Sequence, residues 1–263
     1  MLTGDWQTSF FLNRPVKEII LQKLPATLIL MTTAYTLQEA IALPAGILAA
    51  LRRYSLFDQF VTFFSYVGYS MPTFWLGLMM LLIFAVQIPI LPVAGIIDLR
   101  VAGAPFLTAD YNTWFVAHPL TGILDIATHV ILPATTIAIV GIAGDSRFVR
   151  ASMLDTIHQD YIRTAKAKGM SSRVVVLKHA LRNALLPVIT NIALNLPGLF
   201  SGAVVTEAIF SWPGMGQLFF QALSAYDYPL LMGILFVSAC LVVVFNFLAD
   251  SAYAIVDPRI SYA

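Results

Sequence analysis

The sequence predicts an all-α polytopic membrane protein, and three observations carry that prediction. Apolar residues make up 59% of the chain and charged residues only 11%. The mean hydropathy is +0.82. The apolar residues gather into stretches long enough to cross a bilayer as helix, the form that satisfies its own backbone in lipid. Five spans are expected, at about 25–51, 60–86, 129–148, 184–206 and 228–250. Residues 25–263 then form one transmembrane domain. Residues 1–24 are mixed in character, carry no continuous apolar core of a signal peptide, and are expected to lie outside the cytoplasm.

Lys and Arg orient the spans, because loops rich in them stay in the cytoplasm. Arg52 and Arg53, the eight cations from Arg147 to Arg182, and Arg259 put eleven on one side. Arg14, Lys17, Lys23 and Arg100 put four on the other. The C-terminus is therefore expected in the cytoplasm. Five spans then leave the N-terminus outside, with nothing in residues 1–24 to export it. The expectation is a preceding span not contained in this sequence, giving six in the intact fold. A net charge of +1 supplies no field for nucleic acid, and Cys240 alone excludes a disulfide framework. The four histidines have no metal-ligand spacing; Asp125 and His129 are placed to pair at i, i+4.

The loop from Gln87 to Thr128 reads as an extracytoplasmic cap, with Tyr111 and Trp114 as interfacial anchors. Near the fourth span's outer end, Phe210-Ser211-Trp212-Pro213-Gly214-Met215-Gly216 reads as a tight turn held by aromatics at the interface. Glu39, inside the first span, must face the protein interior, find partners or be neutral, since an ionised carboxylate at mid-bilayer costs about 2.5–3.5 kcal/mol. Asn191, Asn195, Gly198 and Gly202 fall on one helical face, and Pro187 and Pro197 interrupt that helix. Asp145 is expected to pair with Arg147 or Arg150.

The cytoplasmic stretch of about 150–183 departs from the apolar pattern. Met153, Leu154, Ile157, Tyr161 and Ile162 recur at helical spacing, Ala165 and Ala167 follow, and Gly169 suits a left-handed cap. Ser171 or Ser172 can cap a second short helix carrying Val174 to Leu185. The expectation is an elbow of two helices, slim on its Ala165 and Ala167 side and basic elsewhere, able to enter a partner's groove.

At these residues the chain resembles the inner-membrane permeases of binding-protein-dependent ABC transporters, and within them the dipeptide, oligopeptide and nickel branch. The resemblance rests on Asp160-Tyr161-Ile162-Arg163-Thr164-Ala165-Lys166-Ala167-Lys168-Gly169, on His179 to Pro187, on Glu207 to Gly216, on Asp227-Tyr228-Pro229 and on Asp257-Pro258-Arg259. Where the wider superfamily has Glu-Ala-Ala, Arg163-Thr164-Ala165 stands, and Arg182 replaces a later proline; both departures look characteristic of the peptide branch.

The resemblance implies an ATPase-coupling loop formed by Tyr161, Arg163, Thr164, Ala165, Lys166, Ala167, Lys168 and Gly169. It implies an extracytoplasmic gate near Glu207, Phe210, Trp212, Pro213, Gly214 and Gly216. Glu39, Asn191 and Asn195 are candidates for the translocation path. The chain has no phosphate-binding Gly-Lys-Ser/Thr loop, so ATP and Mg are expected on two partner ATP-binding subunits, with no cofactor on this chain. The other partners implied are a second, related but distinct permease, an extracytoplasmic substrate-binding protein and membrane lipid, in the inner membrane of a prokaryotic cell. A self-sufficient secondary transporter or channel is the alternative. It needs a coupling-ion site, for which Glu39 alone stands.

Overall fold

The computed structural model describes residues 6–195 and 203–256. Among them the chain is helical, with a single extended bridge between Thr8 and Pro15. Helix α1, Val16–Leu51, has 36 residues, roughly 54 Å at 1.5 Å per residue. Helix α2, Leu56–Ser70, and α3, Thr73–Leu81, follow, with a π-helical turn Leu82–Gln87 closing the latter. Two short helices, α4 (Leu99–Ala102) and α5 (Ala109–Ala117), lead to the 39-residue α6, Pro119–Ile157. Then come α7 (Asp160–Ala167), α8 (Ser172–Val174), a π-helical turn Val175–Ala180 and α9 (Leu181–Asn195). Helices α10 (Val204–Ile209), α11 (Met215–Ser224) and α12 (Tyr228–Val256) complete the order.

By length and apolarity α1 and α6 each suffice to cross a membrane, and α2 with α3 gives a third span if the two arms count together. The two arms are separate helices with a break between Ser70 and Thr73, where the sequence led us to expect one span over 60–86. The break has a local cause. Pro72 offers no N–H and pushes the preceding residue out of the helical region, and Met71 is extended at φ −78°, ψ 125°. Helix α12 carries a fourth apolar run, Tyr228–Val244. Of the expected fourth span, α9 is described to Asn195; Pro197, Gly198 and Gly202 lie outside the described residues, as does Asp257-Pro258-Arg259.

Helix α1 starts nine residues before the expected Pro25. Val16, Ile19 and Ile20 recur at helical spacing and are buried against Met215, Leu218, Leu230 and Ile234, so the apolar side of this mixed stretch is core.

The chain divides into two compact units. One contains Met1–Tyr35, Pro72–Ala138 and Gly198–Val242. Its centre is Trp212, fully buried among Ala26, Leu30, Ile96, Tyr111, Val130 and Ala134. The loop after α3 is thus folded onto a core, and Tyr111, 2% exposed, is an interior residue rather than the interfacial anchor expected. Trp114 packs at that core's edge and stacks on His118.

The other unit contains Thr36–Met71, Ile139–Pro197 and Val243–Ala263. Its turn between α1 and α2 is held by Asp58, which receives Arg150 Nε at 2.6 Å and Nη2 at 2.9 Å and the Tyr54 N–H at 2.8 Å. Ser55 caps α2 by accepting from the Asp58 N–H. Arg147 lies over the rings of Tyr66 and Tyr69. Neither arginine pairs with Asp145, contrary to expectation, because each has found a partner on α2.

Candidate functional site

The elbow is built as its sequence suggests, with three differences. Helix α7 ends at Ala167 and Gly169 takes the left-handed conformation at φ 74°, where a side chain is strained. Ser171 occupies the cap position of the second arm without donating or accepting a side-chain cap bond. That arm is not a separate short helix. From Ser172 the backbone stays helical through the π-turn into α9, so the second arm is the direct extension of α9.

Ile162 and Ala165 pack against Val175 and Ala180 inside the elbow. Ala165 is 7% exposed, whereas Ala167 is exposed. The two therefore share no outward face, since residues two apart on a helix point in nearly opposite directions. Ala165 is small because the second arm lies on it. Tyr161, Arg163, Thr164, Lys166, Lys168 and Gly169 are exposed with Ala167. Asn183 Nδ2 donates to the Tyr161 hydroxyl at 2.9 Å, a second tie between the arms.

The turn between α10 and α11 is organised around Glu207, which is fully buried. Thr27 Oγ1 donates to Glu207 Oε1 at 2.9 Å and the Gln217 N–H to Oε2 at 3.0 Å; the Gly216 N–H also donates to this carboxyl. Thr27 Oγ1 in turn accepts the Met215 N–H at 2.7 Å. A carboxylate thus sits over the first turn of α11, where free N–H groups and the helix dipole favour it. Burial still pushes the Glu207 carboxyl above the usual carboxylate range, partly offset by these donors and by the positive charge of Lys23.

Gly214 and Gly216 make this approach possible. A Cβ on Gly214 would stand 2.5 Å from Glu207 Oε2 and Thr27 Oγ1, and one on Gly216 2.6 Å from Val204 Cα. Trp212 donates its indole N–H to Ala26 O at 2.8 Å. Phe210 is 2% exposed and packs with Ala85 and Leu132, and Pro213 is half-buried. The aromatics expected at the interface are therefore core, and the turn is a buckle fastened onto α1.

Glu39 is half-buried and lies in a polar cluster of the second unit. Gln38 Nε2 donates to Asp145 Oδ2 at 2.5 Å and to Glu39 Oε1 at 3.4 Å, and Asn191 Nδ2 donates to Asp145 Oδ1 at 3.3 Å. Glu39 Oε2 is buried with no hydrogen-bond partner among the described residues. Asn195 is exposed. Of the three path candidates, the structure brings Glu39 and Asn191 to one place, joined by Gln38 and Asp145.

Sequence reasoning missed Thr27 and Gln38, and quoted Asn183 and Asp227 within the motifs of the resemblance without giving either a role. Asp227 is fully buried and accepts from Ser9 Oγ at 2.5 Å, the Phe11 N–H at 3.1 Å and the Leu230 N–H at 3.2 Å. Burial would raise its carboxyl, but these donors outweigh it and hold the group below the usual carboxylate range. The signal for Asp227 was present, an acid directly before a helix. Thr27 and Glu207 are 180 residues apart, and no local pattern joins them. Asp125 and His129 do pair, at 3.2 Å. Among the described residues no group of three or more potential metal ligands occurs.

This arrangement of helices has counterparts. A chain of the MetNI methionine ABC transporter, in an inward-facing conformation, superposes with a TM-score of 0.68 at 17% identity, covering 92% of this chain and 98% of that one. A chain of an amino acid ABC transporter, solved with histidines, gives 0.55 at 14%, covering 93% and 95%.

In sequence, the chain is 44% identical over its whole length to the oligopeptide transport system permease protein AppB of Bacillus subtilis (strain 168), 78% of which it covers. It is 38% identical over its whole length to the dipeptide transport system permease protein DppB of Escherichia coli (strain K12), again covering 78%. Residues 42–262 match the model of the binding-protein-dependent transport system inner membrane component, and it is to this family of transport permeases that the chain belongs.

Proposed function

We propose that this chain is a membrane-spanning permease subunit of an ATP-driven importer of di- and oligopeptides. The observation that carries the reading is the whole-length similarity to oligopeptide and dipeptide permeases, joined to an elbow whose second arm runs unbroken into α9. A push on Tyr161 to Gly169 reaches α9 through the packed contact of Ile162 and Ala165 with Val175 and Ala180. No soft linker intervenes. ATP and Mg belong to two partner ATP-binding subunits, which dock on the exposed basic face of α7. A second, related permease completes the pore, and an extracytoplasmic binding protein delivers the peptide.

Glu207, Phe210, Trp212, Pro213, Gly214 and Gly216 form a structural buckle at the gate, through which delivery is felt at α1. Glu39 and Asn191, with Gln38 and Asp145, offer the path a polar surface. The complex sits among the lipids of a prokaryotic inner membrane with the C-terminus of this chain in the cytoplasm. Reconstitution tests the reading. The chain with its partner permease, ATP-binding subunits and binding protein is expected to accumulate a labelled dipeptide in proteoliposomes, with dependence on ATP. Accumulation by this polypeptide alone would refute it.

A further inference from the structure

In the first unit, the start of α1, the segment between α3 and α5 and the turn after α10 line a half-open cavity of about 460 Å³, within the size range of small-molecule sites. Arg14, Gln22, Lys23, Thr108, Ser211 and Pro213 are among its lining residues, and no carboxylate lines it among the described residues. Ile96, Ile97 and Phe106 supply apolar wall. The two cations are underused. Arg14 donates to Gln22 Oε1 at 3.1 Å and meets Glu18 only loosely, at 3.8 Å, with both side chains exposed. Lys23 is half-buried, and its side chain donates to no described residue. The opposite charge it feels is Glu207, whose two oxygens already accept from Thr27 and Gln217.

A half-buried ammonium with unused donors beside a guanidinium is complementary to a carboxylate, which offers two oxygens to two cations. We infer that this cavity is a carboxylate subsite for the peptide's C-terminus, with Lys23 and Arg14 as its ligands and the apolar wall taking the last side chain. The inference rests on the peptide-import reading.

The test uses the complete transporter in proteoliposomes with loaded binding protein, comparing uptake of a dipeptide and of its C-terminal amide. The wild-type acid-to-amide ratio absorbs any preference of the binding protein. Lys23→Gln is expected to lower that ratio by about tenfold, the scale of one charge-assisted hydrogen bond. Lys23→Arg restores it, and Lys17→Gln, an exposed cation that does not line the cavity, leaves it unchanged. An unchanged ratio in Lys23→Gln and Arg14→Gln overturns the subsite while leaving import standing. An equal fall for acid and amide overturns it too, since the cations would then serve docking or folding. Wild-type complex importing neither peptide overturns both readings.

Discussion

Glu207 and Asp227 are buried acids in the same unit whose responses to pH should be opposite. Glu207 is held above the usual carboxylate range by burial, so the folded state binds its proton more tightly than the unfolded chain does. Its contribution to stability is full below the unfolded value and is lost as pH rises through the folded one. Asp227 is held below the usual range by its donors; its contribution is present above the unfolded value and lost as pH falls through the folded one. Thermal unfolding in detergent followed against pH should separate them. Glu207→Gln is expected to flatten the decline on the alkaline side of the ordinary carboxylate range, and Asp227→Asn the decline on the acid side. Matching profiles for the two variants would contradict the assignment. Trp212 tests the buckle's packing without charge. Its full burial puts Trp212→Ala at about 3–5 kcal/mol of stability, measured against Phe220→Ala, an exposed aromatic of α11 expected to cost far less.

Among the elements, the elbow makes the clearest separation between holding a shape and presenting a surface. Nothing lies within 4 Å of a Cβ built on Gly169, so Gly169→Ala should cost only its left-handed backbone, about 1–2 kcal/mol. Gly169→Asn should recover most of it, because Asn tolerates that region. Ala165→Arg forces a charge between α7 and the π-turn and should loosen the elbow itself. Ala167→Arg leaves the packing alone and should impair docking only. Limited proteolysis at the elbow, together with recovery of the ATP-binding subunits on a tagged chain, distinguishes them: more cleavage for Ala165→Arg, wild-type cleavage with reduced recovery for Ala167→Arg.

The elbow was legible in the sequence because its signals are local: apolar spacing, a glycine, a run of cations. The unbroken passage from Ser172 to Asn195 was less so, since Ser171 and Ser172 look like a helix start whatever follows. The break between α2 and α3 could have been read from Pro72, but apolar composition on both sides concealed it. Tyr111, Phe210 and Trp212 were misplaced for one reason. Aromatic residues favour both the membrane interface and a protein core, and only tertiary contact decides between them.

For the whole molecule, the polar cluster at Glu39 decides what kind of transporter the chain serves. A self-sufficient transporter would need that cluster to bind and release a coupling ion during each cycle. A permease driven by ATP needs it only as a polar surface kept in place by Gln38, Asp145 and Asn191. The hydrogen bonds favour the second role: Gln38 Nε2 is shared between Asp145 and Glu39, and Asn191 holds the other Asp145 oxygen, so the amides fix both acids in place. Glu39→Gln keeps the shape and removes the titratable group. In the reconstituted complex it should leave uptake independent of an imposed proton or sodium gradient, as in wild type, and lower the rate by no more than about tenfold, the scale of one hydrogen bond to a charged group. Glu39→Leu removes the polar surface as well and should lower uptake further while ATP hydrolysis continues, raising the ATP consumed per peptide moved. A wild-type complex whose uptake follows an ion gradient, and loses that dependence in Glu39→Gln, would mean that the cluster is a coupling site and that ATP is not the sole source of drive.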